Sequence, residues 1–148
     1  MGCEYLHTPV GILKICSDGK AITEICISES GISDGDIVTA EAAKQLSEYF
    51  ADKLTEFNLP LNPQGTEFQK KVWKILLSVP YGTVLSYGEI ANLTGNKKAC
   101  RAVGNAVGRN PILIVIPCHR VKAANGIGGF SAGIELKKHL LNKENITV

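Results

Sequence analysis

The stretch Asn58-Leu59-Pro60-Leu61-Asn62-Pro63-Gln64-Gly65 divides this 148-residue chain in two. Each proline fixes its own φ and disfavours helix in the residue before it, so the segment suits an extended connection. The charge changes sign at the same place. Residues 1–64 carry four basic and ten acidic side chains, a net of −6, whereas residues 65–148 carry twelve and four, a net of +8. The whole-chain charge of +2 hides this asymmetry, and the basic half is the one suited to a polyanion, although a solvated basic face needs no partner.

The 45% hydrophobic content is enough for a real core. Ile112 to Ile116 is the only long apolar run, far short of a membrane span, and Met1-Gly2-Cys3-Glu4 lacks the basic and apolar regions of a signal peptide. The expectation is a soluble protein without a membrane partner, working inside the cell, in cytoplasm or nucleoid/nucleus. Cys3, Cys16, Cys26, Cys100 and Cys118 are odd in number and without close pairs. They read as reduced thiols rather than a disulfide framework or a zinc knuckle.

Before the proline segment, apolar and polar residues alternate through Ile12–Cys16 and Ala21–Ile27, with Ser17-Asp18-Gly19-Lys20 between them, which predicts a β-hairpin. A Gly/Ser/Asp-rich loop covers 28–36. A helix then follows over 37–50, with Ala43, Leu46 and Phe50 on one stripe. After the proline segment Thr66 is placed to cap a helix whose apolar face is Phe68, Val72, Ile75, Leu76 and Val79, ended by Pro80-Tyr81-Gly82. Ser86 caps a short helix over 87–93, Thr94-Gly95-Asn96 turns, and a second helix runs from about 97 to 107. This is either a helix-turn-helix or an ordinary αα-hairpin. Cys100, Val103 and Val107 read as the core stripe of that second helix. Its opposite face carries Arg101 and Asn105 beside the small residues Ala102 and Ala106, a face able to approach a surface closely with one projecting arginine.

The chemistry is concentrated in Ile116-Pro117-Cys118-His119-Arg120-Val121. A neutral thiol is a poor nucleophile, and a histidine oriented by a third group can take its proton. Glu144 follows Leu136 and Leu140 at helical spacing, so its carboxylate shares their apolar face and needs a partner if buried. His119 is a chemically suitable partner, giving the order Cys118–His119–Glu144. A buried structural cysteine and a solvated terminal glutamate are the plainer readings of the same residues.

Phe68-Gln69-Lys70-Lys71-Val72-Trp73, Pro80-Tyr81-Gly82-Thr83-Val84-Leu85-Ser86-Tyr87, Lys98-Ala99-Cys100-Arg101-Ala102-Val103-Gly104 and Asn110-Pro111, followed by the Pro-Cys-His-Arg stretch, occur in one order. Together they resemble the O6-alkylguanine-DNA alkyltransferase family, over Thr66–Glu144; residues 1–64 are similar more loosely, through Thr8-Pro9-Val10-Gly11 and the hairpin. The resemblance implies an α+β fold, a small N-terminal β-hairpin and helix part over 1–60. A winged-helix-like helix-turn-helix DNA-binding domain carrying the active-site cysteine would occupy 61–148. It implies single-turnover transfer of an alkyl group from O6 of guanine in double-stranded DNA to Cys118, with O4 of thymine as a second candidate position.

In that comparison His119 is similar to the base acting through a water, Glu144 to the carboxylate that orients it, and Asn110 to an asparagine bracing the turn before the active-site strand. Tyr87 resembles the proton donor to the leaving guanine that also crowds its 3′ phosphate. Arg101 resembles the arginine that fills the gap left by a flipped nucleotide. Ser86, Ala99, Ala102 and Gly104 fall in the DNA-binding motifs, and Val121, Phe130, Ser131 and Leu113 in the base pocket. Phe130 stands where many members have tyrosine, and Leu113 where many have a second proline. Some members bind a structural zinc, but Cys3 and Cys16 have no matching histidine here, so no metal or other cofactor is expected. The expected state is a monomer. A non-catalytic sensor of alkyl lesions and a thiol hydrolase are the competing readings.

Overall fold

The computed structural model describes residues 2–124 and 126–147. It divides into two compact units, Met1–Gln64 with Pro111–Leu113, and Gly65–Asn110 with Ile114–Val148.

The first unit is an antiparallel sheet in the order β1 (Gly2–Thr8), β2 (Gly11–Ser17), β3 (Ile22–Ser28), against which helix α1 (Ile37–Phe50) packs. The expected hairpin is β2–β3, and β1 is an additional strand. Its register sets Cys3 opposite Cys16 with their Cα atoms 4.1 Å apart, and the two sulfurs are bonded as a disulfide. This corrects the expectation of reduced thiols at both positions. Thirteen residues look distant along the chain, but antiparallel pairing around the Pro9-Val10 turn folds that distance to a cross-strand contact.

Leu13, Ile15, Ile22 and Ile25 of the sheet are buried, as are Ala42, Leu46 and Tyr49 of α1. Tyr49 therefore takes the inward place predicted for Phe50, because positions 42, 46 and 49 keep the i, i+4, i+7 spacing of one helix face. Asp36 caps α1, its carboxylate accepting from the Val38 and Thr39 amides. The outer edge of β3 is covered by two short parallel pairings: Ile22 N donates to Pro60 O and Asn62 N to Ile22 O, while Ile25 N donates to Pro111 O and Leu113 N to Ile25 O. Covering an edge in this way removes a template for unwanted strand pairing.

The second unit is helical: α2 (Glu67–Leu77), α3 (Tyr87–Leu93), α4 (Cys100–Gly108) and α5 (Ile134–Lys143), with a parallel pair of two-residue strands, β4 (Leu85–Ser86) and β5 (Val121–Lys122). Thr66 and Ser86 cap α2 and α3 as predicted, each in a reciprocal box with the residue three positions on, Gln69 and Glu89. Val72, Trp73 and Leu76 bury one face of α2, and the Trp73 indole donates to Ala106 O of α4 at 2.8 Å. Lys71 Nζ donates to Thr94 O at 2.8 Å, fastening the turn between α3 and α4 to α2.

Helix α4 starts three residues later than predicted, after a turn at 97–99, and its inward stripe is Ala99, Val103, Ala106 and Val107. Cys100, expected in the core, is exposed, and Ala106, expected on the outer face, is buried. With the helix beginning at residue 100, positions 99, 103, 106 and 107 share one side. Among the described residues no helix is long and apolar enough to cross a membrane.

Candidate active site

The apolar run before Cys118 is buried but is not a strand. Its first residues, Pro111–Leu113, belong to the first unit, and the chain returns to the second at Ile114, which has φ +72°. A β-branched residue in the left-handed region is strained, and the packing of Ile112–Ile116, all 6% exposed or less, holds it there. Asn110 ties the ends of this excursion together, its amide donating to Ile116 O at 2.8 Å. The chain then closes a one-turn 3₁₀ helix, Cys118–Arg120, with Cys118 N donating to Ile116 O and Arg120 N to Pro117 O. The active-site strand implied by the resemblance is thus replaced by a braced, irregular segment.

That single turn puts three consecutive side chains inside the protein. His119 is fully buried and its Nε2 lies 2.7 Å from Glu144 Oε2. Glu144 is the residue that ends α5, and it also accepts from Gly82 N at 3.1 Å. Arg120, unforeseen in the sequence, grips the same carboxylate with Nε at 2.8 Å and Nη2 at 3.0 Å, while its Nη1 donates to Val79 O. A carboxylate held by a bidentate guanidinium stays ionised, so it accepts from the imidazole and Nε2 carries the proton. The lone pair is then on Nδ1, which is buried without a hydrogen-bonding partner among the described residues. Burial holds the His119 pKa below its ordinary value, against the opposing pull of Glu144, so the imidazole is neutral and basic at Nδ1.

Cys118 is 3% exposed, and burial pushes its thiol up to about 11. A hydrogen bond from Asn110, the Lys137 charge and the backbone act in the opposite direction. The resting group is therefore a thiol, and a base must take its proton during reaction. Burial, with Cys118 acting in the same direction, also raises the Tyr87 phenol, so it keeps its proton.

Lys137 is the second functional candidate the sequence reading missed. Its side chain is fully buried in α5, and Nζ donates to Val121 O at 2.5 Å, Ile127 O at 2.7 Å and Gly129 O at 3.0 Å. Burial lowers it to about 8 while Cys118 pulls it up. The signal for it was weak: a lysine one position past the apolar Leu136 looks like a solvated face. The loop it fastens also needs Gly128, whose φ is +79° and where a Cβ would stand 3.3 Å from the Tyr87 ring.

The structure thus brings Cys118, His119, Glu144, Asn110 and Tyr87 together. Val121 is buried beside them, with its carbonyl engaged by Lys137; Phe130 is half-buried and Ser131 exposed in the following loop. Leu113 lies in the first unit, and its amide is used by Ile25 O. Arg101 and Ala102 are exposed on α4, Gly104 and Ser86 are half-buried, and Ala99 is buried with 8% of its surface exposed.

A buried thiol with an Arg–Glu–His relay, carried on a helix-turn-helix unit, defines a thiol-transfer protein built on a DNA-binding scaffold. Comparison with known proteins agrees. Residues 67–146 match the 6-O-methylguanine DNA methyltransferase, DNA binding domain, and residues 1–63 match the ribonuclease-like domain of the same proteins. A methylated-DNA–protein-cysteine methyltransferase of Methanosarcina acetivorans is 53% identical over 148 residues, covering 93% of this chain and 94% of its own. The crystal structure of the Mycobacterium tuberculosis O6-methylguanine methyltransferase is 41% identical with a TM-score of 0.87, covering 96% of this chain and 91% of that one. That of Mycobacterium tuberculosis OGT in complex with DNA is 42% identical with a TM-score of 0.88, covering 95% and 90%. The chain belongs to the 6-O-methylguanine DNA methyltransferase family, whose work is direct repair of alkylated DNA.

Proposed function

We propose that this protein removes an alkyl group from O6 of guanine in double-stranded DNA by transferring it to Sγ of Cys118, once per molecule. The observation that carries this reading is the buried relay Arg120–Glu144–His119, which ends in an unpartnered Nδ1 on the residue next to a buried thiol. The thiol proton passes to His119 Nδ1 through a water. The thiolate attacks the alkyl carbon, the S–C bond forms as the C–O6 bond breaks, and the electron pair leaves on guanine. Tyr87 gives its phenolic proton to that guanine and recovers one from the imidazolium. Charges balance, and the thioether has no hydrolytic exit.

In this reading Asn110 and Lys137 offset the cost of the thiolate. Arg101 occupies the space of the base turned out of the duplex, with Ala102, Gly104 and Ser86 letting the helix-turn-helix approach the backbone. The Val121 carbonyl, through its second lone pair, and the Ser131 backbone read the guanine edges, with Phe130 on the wall. Leu113 acts on the pocket only through the course of the segment that follows it. The protein works as a monomer on intracellular DNA. The test is Cys118→Ala: it keeps duplex binding and loses all transfer, whereas transfer surviving the substitution refutes the assignment. A lesion sensor would bind and never transfer; a thiol hydrolase would turn over esters repeatedly.

A further inference from the structure

The charge of the second unit is not confined to the helix-turn-helix. Lys70, Lys71 and Lys74 stand on the outward side of α2 and, with Glu67 and Phe68, line a shallow groove. Lys71 is committed, its ammonium holding Thr94 O. Lys70 and Lys74 are exposed and have no ion pair among the described residues, although Glu67 lies one turn before Lys70. On α5, by contrast, Lys138 has Glu135 at 3.7 Å. Lys74 sits in the last turn of α2, where a cation complements the helix dipole, but Lys70, the fourth residue of the helix, lies toward the N-terminal end, where the dipole gives no reason for a cation.

The committed lysine also says where this face lies. Thr94 opens the turn between α3 and α4, and exposed Lys97 and Lys98 follow it, so the α2 face borders the turn that precedes Arg101. Lys70 and Lys74 are about 6 Å apart along the axis at the usual helical rise, a spacing suited to successive phosphates. Lysine is depleted at protein interfaces, and Phe68, the one apolar side chain of the groove, is only partly exposed among three lysines, which disfavours a protein partner.

We infer that Lys70 and Lys74 form a second phosphate-contact strip, which takes the sugar–phosphate backbone of the same DNA beyond the segment held by the helix-turn-helix. This rests on the DNA-repair reading above. The strip supplies sequence-independent affinity and touches neither the base nor the thiol.

The experiment measures duplex affinity by fluorescence anisotropy across a salt series for the wild type, Lys70→Ala/Lys74→Ala, Lys70→Arg/Lys74→Arg, and the control Lys44→Ala/Lys53→Ala on the acidic unit. Each lost phosphate contact lowers the slope of log affinity against log salt by about 0.9, so the first double variant falls by about 1.8. Over a fourfold rise in salt the wild type then loses about twelvefold more affinity than that variant. The arginine pair and the control keep the wild-type slope, and the rate with free O6-methylguanine base is the same in all four. An unchanged slope in the alanine variant, or an equal drop in the control, overturns the strip while leaving the repair reading intact. Absence of salt-dependent duplex binding by the wild type overturns both. Loss of affinity for an acidic peptide but not for duplex assigns the face to a protein and also overturns the inference.

Discussion

Glu144→Gln tests the relay at its centre with almost no change of shape. The native carboxylate accepts from His119 at 2.7 Å, Arg120 at 2.8 and 3.0 Å, and Gly82 at 3.1 Å. The amide keeps one acceptor oxygen, presents an NH2 where an acceptor was needed, and leaves the Arg120 guanidinium, 6% exposed, without a counter-charge. Breaking a buried ion pair from one side costs about 3–5 kcal/mol. At about 2–4 °C per kcal/mol for a domain of this size, the midpoint of thermal unfolding falls by about 6–20 °C. The same substitution removes what orients His119 and keeps its Nδ1 basic, so the transfer rate falls by about 10²–10⁴, the usual worth of a positioned general base. Scanning calorimetry gives the first number. Single-turnover transfer from a methylated duplex, measured well below the melting range, gives the second. Unfolding within about 1 kcal/mol of wild type together with a rate within tenfold refutes the relay, since both losses follow from one carboxylate.

Three further outcomes follow from the same geometry. The His119 pKa is lowered by burial, so the imidazole stays neutral as pH falls through the ordinary value of 6.5, and the acid limb of the transfer rate has its midpoint below that pH. Because the unfolded chain binds the His119 proton first, the His119 contribution to stability, fully present at higher pH, is lost as pH falls from 6.5 toward the depressed native value; a rate midpoint at or above 6.5 contradicts this. Lys137→Met frees the backbone carbonyls of Val121, Ile127 and Gly129 and withdraws the charge that opposes the rise of the Cys118 thiol, so the transfer rate drops by about tenfold, and an unchanged rate removes Lys137 from the site. Arg101→Ala slows repair in duplex more than reaction with a free alkylated base, as paired single-turnover assays will read, because only the duplex requires a base to leave its stack; equal losses on both substrates contradict that role.

What the sequence revealed and what it hid differ in kind. Caps are local: Thr66 with Gln69 and Ser86 with Glu89 need only a three-residue spacing, and both were legible. The His119–Glu144 pair spans 25 residues, yet it was reachable because a carboxylate on an apolar stripe demands a partner. Arg120 and Lys137 were hidden because buried cations are rare and nothing local distinguishes them; their reasons are the Glu144 carboxylate and three backbone carbonyls, visible only in the folded chain. The Cys3–Cys16 pairing depends on the register of a strand with weak alternation. The course of 111–117 escaped periodicity altogether, since an apolar run suits a strand, a helix or a packed irregular segment equally, and the φ of Ile114 is set by its surroundings.

The central claim, that Cys118 accepts the alkyl group and keeps it, is tested most directly by incubating the protein with duplex DNA carrying O6-methylguanine and following the intact mass and the cysteine-containing peptides. The account predicts one added methyl group per molecule, entirely on the peptide that contains Cys118, with guanine restored in equal amount and no further reaction when more DNA is added. Methylation on the peptide of the exposed Cys100 instead, or more than one guanine restored per protein, contradicts it.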